Sequence, residues 1–300
     1  MARTVAVLVL GATGAFGASA GAGAGAEEMG AAVTRGEIPE GYRLVWAQEF
    51  DEPGEPDRAV WNHEEGFKRN NELQWYQREN ATVENGMLVI EGRRERLENP
   101  GFEAGSKDWR KKRRFADYTA ASLTTKGTHE WQYGVFEMRA KVDTSDGLWP
   151  AWWSLGSARP WPGCGEIDMM EYYRGMVLAN ACWKKKGERW AQHWDSTKTP
   201  VGELDEGGDP DAWAGRFHTW RMEWTEDRID LYCDGRLLNT IDVTKTFNPD
   251  GTNPFREPHY MLVNLAIGGN QGGDPSQTEF PSRYEIDYIR VYQPVSSDDE

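Results

Sequence analysis

Gly165-Glu166-Ile167-Asp168-Met169-Met170-Glu171-Tyr172 sets three carboxylates among apolar side chains. On a regular strand side chains alternate with period two, so Glu166 and Asp168 share a face and Glu171 points the other way. A β-bulge at Met169-Met170 slips that phase by one residue and brings all three acids to a common face. Ile167, Met169 and Met170 then form the opposite, core-facing side. Like charges crowded on one sheet face repel, so an ordinary exposed strand explains them poorly. A rigid acid face above a packed layer, as a catalytic site requires, explains them well.

Upstream, Gly147-Leu148-Trp149-Pro150-Ala151-Trp152-Trp153-Ser154-Leu155 alternates so that Trp149, Ala151 and Trp153 share one face and Trp152 takes the other. Flat aromatic faces with polar edges suit sugar rings. Most of the 15 Trp, 11 Tyr and 10 Phe are expected in the core, but Trp149 and Trp153 fall on the acid side as a stacking platform. Further back, Asn70-Asn71-Glu72-Leu73-Gln74-Trp75-Tyr76 offers amides for sugar hydroxyls, although an Asn-Asn pair is also a turn signal.

Short alternating segments bounded by Gly, Asn, Asp and Pro recur along the chain, and long helical periodicity is lacking. Strands are expected at Arg43 to Phe50, Ala81 to Val83, Met87 to Arg93, Tyr133 to Val142, Ile167 to Tyr173, His218 to Thr225, Arg228 to Cys233 and Tyr284 to Tyr292. Asn85-Gly86 and Asp234-Gly235 mark tight hairpins. The fold class is therefore all-β, a sandwich of two sheets with a groove on one outer face. Leu204 to Ala214 is read as a loop.

The first 26 residues have a basic start, an apolar stretch and small-residue cleavage sites, and are read as a secretion signal. Residues 27–41 are read as a linker, 42–293 as one catalytic domain and 294–300 as an acidic tail. A mature protein with no membrane span, secreted and monomeric, is expected. The formal charge of -15 repels phosphate backbones, which argues against nucleic acid as a partner. The basic run Lys107, Arg110 to Arg114 is read as a solvated loop. Cys164, Cys182 and Cys233 match no zinc spacing. Buried thiols are expected, with Cys164 and Cys182 as the one pair worth testing for a disulfide.

Cleaving a glycosidic bond with retention needs one carboxylate to attack the anomeric carbon and a protonated one to serve the leaving oxygen, about 5 to 5.5 Å apart. Glu166 and Glu171, on either side of a bulge, are candidates for that pair. Asp168 between them would orient Glu166 and keep it ionised.

Together with Leu123 to Gly127, Trp131 to Gly134, Asn264 to Gly269 and Tyr284 to Tyr292, these segments resemble glycoside hydrolase family 16, in its laminarinase and β-glucanase branch. The resemblance covers about Tyr42 to Gln293. It implies a β-jelly-roll and retaining endo-hydrolysis of a polysaccharide, with Glu166 as nucleophile, Asp168 as helper and Glu171 as acid/base. It also implies sugar contacts from Asn70, Asn71, Trp149 and Trp153. No cofactor is implied for catalysis, but a structural calcium is, with Glu49, the Gly86 carbonyl and Asp287 as the matching oxygen donors.

Two departures bear on substrate. Laminarinases of this group commonly read Ser-Ala-Arg-Leu where this chain has Ala120-Ala121-Ser122-Leu123, which leaves out a basic side chain. The run from Ala179 to Asp195 is also unlike theirs, and His193 in it is a further candidate for substrate contact. Both favour β-1,3 and mixed-linkage β-1,3-1,4-glucan over a strict 1,3-specificity. A galactan of the agar or carrageenan type, or a non-catalytic carbohydrate-binding sandwich, are the competing readings.

Overall fold

The computed structural model describes residues 38–295; the expected signal segment, most of the expected linker and the last residues of the tail lie outside that span. Antiparallel strands stack in two sheets. One has eight strands, in the order Arg236–Asp242, Arg228–Cys233, His218–Trp224, Gly134–Val142, Ser282–Pro294, Met87–Gly92 and Ala81–Glu84, with Tyr42–Gln48 also paired to Ser282–Pro294. The other has seven, in the order Gln192–Pro200, Met176–Lys184, Glu166–Tyr173, Leu148–Gly156, His259–Ile267, Ser122–Thr124 and Asn62–His63. This is a jelly-roll sandwich.

The hairpins form where turn chemistry demands them. Asn85 and Gly86 have φ of 54° and 74°, and Asp234 and Gly235 have φ of 49° and 78°, the left-handed pair that matches the twist of two antiparallel strands. The stretch expected as a loop ends in a short helix, Pro210–Ala214. Asp209 caps it by accepting from the Asp211 and Ala212 amides, and Pro210 stands in the first turn, where its missing N–H costs nothing. The last strand continues to Pro294, and the Val295 amide bonds the Gly41 carbonyl, so the domain reaches slightly beyond its expected edges.

Between the sheets, Trp152, Ile167, Met169 and Met170 meet Trp220, Met138 and Ile289, all fully buried. Cys164, Cys182 and Cys233 are buried free thiols, and no disulfide joins the first two. Burial pushes the Cys164 thiol up to about 12 and raises those of Cys182 and Cys233 further above their usual range. Trp152 lies on the core side of the strand whose other face carries Trp149 and Trp153. Trp152→Ala should lower unfolding free energy by about 3 to 5 kcal/mol, the cost of emptying a large core site, measured by chemical denaturation.

Candidate active site

The acids emerge from a bulge in the Glu166–Tyr173 strand. Against Leu148–Gly156, Trp152 faces Met170 and Trp153 faces Asp168, leaving Met169 extra. Against Met176–Lys184, Asp168 faces Asn180 and Glu171 faces Leu178, with the same slip between. Met169 and Met170 both turn into the core, and the phase change brings Glu171 out beside Glu166 and Asp168. Gly165 starts the strand at φ +78°, and a Cβ there would stand 2.9 Å from Pro254. Only glycine can therefore enter the strand at this angle.

Pairing then lays side chains in rows across the outer face of the sheet. One row is Leu155, Glu166, Cys182 and Trp194; the next is Trp153, Asp168, Asn180 and Ser196; a third is Ala151, Glu171, Leu178 and Lys198. These rows floor a cleft of about 620 Å³, which Trp149, Tyr173 and Trp161 also line and which Asn70 and Arg69 bound.

Indole and amide donors meet the three acids. Trp149 Nε1 donates to Glu171 Oε1 at 2.7 Å, and Trp161 Nε1 donates to Glu166. Asn180 Nδ2 bridges Asp168 Oδ2 at 3.1 Å and Glu171 Oε2 at 3.0 Å. Removal from water raises all three carboxyls above their ordinary range. Glu166 reaches about 7, opposed by the Trp161 donor, Arg69 and a hydrogen bond from Asp168, while the charge of Glu171 raises it further. Glu171 reaches about 8, raised also by Asp168 and opposed by Trp149, Lys198 and Asn180. Asp168 is held well above its usual value by burial and by the Glu166 charge. A protonated Asp168 can donate to Glu166 and hold its charge. One ionised carboxylate and one protonated carboxyl on the same face are the equipment for combined nucleophilic and acid–base chemistry.

The expected contact residues divide. Asn70, Trp149 and Trp153 line the cleft. Trp149 and Trp153 are only 7% and 8% exposed. Trp149 meets Tyr173 edge to face. Trp153 donates to Asn264 Oδ1 at 2.7 Å and carries the Arg69 guanidinium 5.1 Å above its ring. They are walls that hold acids and amides more than open platforms. Asn71 turns away and bonds Asn270. His193 does not reach the cleft, because Gln192, Trp194, Ser196 and Lys198 take the inward positions of its strand. It packs instead on Trp183, with ring centroids 4.4 Å apart, beside Lys184 to Lys186 on the reverse side.

Trp161, Asn180, Trp194, Lys198 and Arg69 also line the cleft, though the sequence pattern did not single them out. Period-two pairing with the acid strand could have found Asn180. The loop and edge positions carry no comparable local signal. The basic run also has a task, since Arg113 grips the carbonyls of Asn71 and Glu72 and so fixes the Asn70-Asn71 turn, where both asparagines have φ of 54°. Ser122 stands where the resemblance led to expect a basic side chain, yet an arginine reaches the same place from another loop, for Arg69 Nη2 lies 3.5 Å from Ser122 Oγ.

Two of the oxygen donors expected at a calcium, Glu49 and Asp287, each pair with an arginine. Glu49 binds the Arg290 guanidinium through both oxygens at 2.7 and 2.8 Å, and Asp287 Oδ2 lies 2.6 Å from Arg139. Each carboxylate faces an arginine where the expectation required a metal, and calcium needs six to eight oxygens.

Fold and cleft together are those of a glycoside hydrolase. The model of Glycosyl hydrolases family 16 matches residues 68–290, and the chain belongs to that family. It is 34% identical over 277 residues to a β-glucanase of Rhodothermus marinus, covering 84% of this chain and 85% of that one. The catalytic domain of an endo-1,3-β-glucanase (laminarinase) from Thermotoga petrophila superposes with a TM-score of 0.69 at 35% identity, over 85% of this chain and 99% of that one. A structure described with endo-acting O-glycanases of human gut bacteria that initiate mucin breakdown gives 0.77 at 33% identity, over 86% and 92%.

Asn180→Ala removes one donor from both Asp168 and Glu171. Both carboxyls should then titrate at higher pH than in the parent, read by carboxyl carbon NMR, and unchanged midpoints would remove Asn180 from the network.

Proposed function

We propose that this enzyme cuts internal linkages of β-1,3-glucan or mixed-linkage β-1,3-1,4-glucan with retention, by double displacement. Glu166 attacks the anomeric carbon while Glu171 passes its proton to the leaving oxygen. Asp168 holds Glu166 by donating a hydrogen bond. In the second half Glu171, now ionised and held by Trp149 and Asn180, takes a proton from water; the water attacks the same carbon, and Glu166 leaves. The observation that carries this reading is the bulge, which sets two carboxyls with different donors on one face of a single strand. The named activities of the Rhodothermus and Thermotoga relatives support the glucan substrate. Asn70, Trp149 and Trp153 are taken as sugar contacts in the cleft. The basic and apolar character of residues 1–26 supports export, which fits a polymer met outside the cell.

A second reading, endo-cleavage of an O-glycan, draws on the O-glycanase likeness. One panel separates the two. Wild-type enzyme should degrade laminarin, lichenan and barley glucan, releasing the retained anomer first by proton NMR. Digestion of mucin glycans or agarose in their place would move the substrate assignment and leave the chemistry standing. Glu166→Ser should lose at least about three orders of magnitude in kcat yet still bind oligosaccharide by calorimetry; full activity in that variant would refute the nucleophile.

The pH profile tests the division of labour. Activity needs Glu166 ionised and Glu171 protonated, so kcat/KM should fall below about 7 and above about 8. Trp161→Phe deletes a donor to the ionised Glu166, raises its pKa and should move the acidic limb to higher pH, whereas Trp149→Phe should move the basic limb upward. A swap of these two effects would reverse the roles.

A further inference from the structure

We propose that Trp194, together with Trp161 and the Trp190 that packs on Trp161, forms a saccharide-binding subsite at the sheet-edge end of the cleft, where a pyranose of the polymer lays its C–H face on exposed indole. The proposal rests on the reading of the cleft as a polymer site and says where a further unit of that polymer is gripped. The indoles nearest Glu171 and Asp168 have little open surface, as their burial and their Tyr173 and Arg69 neighbours dictate. Open indole lies elsewhere: Trp194 is 38% exposed, and Trp190 is 55% exposed with Arg189 4.7 Å from its ring centre.

Trp194 occupies the same row as Glu166 and Cys182, two strand spacings from the acid strand, or roughly 10 Å. It stands on the opposite side of the acids from Asn70, which bounds the other end of the cleft. Trp190, on the loop after Met176–Lys184, packs within 6.1 Å of Trp161 at a tilt of 32°. Trp161 in turn donates to Glu166. A sugar seated here therefore presses on the ring whose N–H holds Glu166, coupling occupancy of the subsite to placement of that carboxylate.

The test digests an end-labelled oligosaccharide of whichever β-linked glycan the wild type cuts, and records which bonds are cleaved. Trp194→Ala should redistribute the cuts along the chain and lower kcat/KM about 3- to 10-fold, the scale of a single aromatic stacking interaction. Trp190→Ala should shift the cuts in the same direction. Trp194→Phe should keep most of the parent pattern, and His193→Ala, on the reverse face of the strand, should keep all of it. Because the cleavage pattern is a ratio of products, that part of the readout does not depend on how much enzyme folds. A parent-like pattern and rate in Trp194→Ala, or an equal shift in His193→Ala, would overturn the subsite. Failure to cut any glucan while cutting another glycan would instead count against the substrate assignment, with this test unaffected.

Discussion

The bulge at Met169 and Met170 is the constraint on which the rest of the molecule turns. Two successive side chains on the core side are stereochemically unavailable to a regular strand, so the extra residue must be stabilised by what receives it. Here both methionines fill space between the sheets among Trp152, Met138 and Trp220, and an unbranched thioether adapts well to such an irregular gap. Core packing thus determines the phase of the outer face. Were the bulge to relax by one residue, Glu171 would turn inward, where an unpaired carboxyl is costly.

From that phase follows the electrostatics. Three carboxyls forced together, mostly out of water, cannot all be ionised at neutral pH. The neighbouring indoles and the Asn180 amide decide how protons divide among them, because each donor favours the charged form of the oxygen it meets. Trp161 attends one end of the trio and Trp149 the other, while Asn180 spans the middle and far acids. The aromatic residues of this cleft serve as hydrogen-bond donors as much as surfaces.

The fold and the acids were legible in the sequence because both are local. Period-two alternation, Asn-Gly and Asp-Gly turns, and the spacing of Glu166, Asp168 and Glu171 each lie within a few residues, and the eight expected strands are found within about two residues of their expected ends, among others such as Met176–Lys184 and His259–Ile267 that were not expected. What lay between elements was not legible. Arg69 and Trp161 reach the cleft from loops, Arg113 holds the Asn70-Asn71 turn from another, and no periodicity predicts where a loop side chain arrives. His193 was misplaced by a single step of alternation, since its neighbour Trp194 takes the inward position. The arginine partners of Glu49 and Asp287 were not legible either, because Arg290 and Arg139 come from separate strands and pairing across strands is invisible until register is known.

The three cysteines carry a consequence for handling. Disulfide exchange proceeds through thiolate, and burial raises each thiol above its usual range, which disfavours thiolate in the folded state. An odd count would ordinarily invite one sulfur to cross-link with another molecule. In this protein the native packing acts as a chemical protecting group, burying all three sulfurs away from exchange partners.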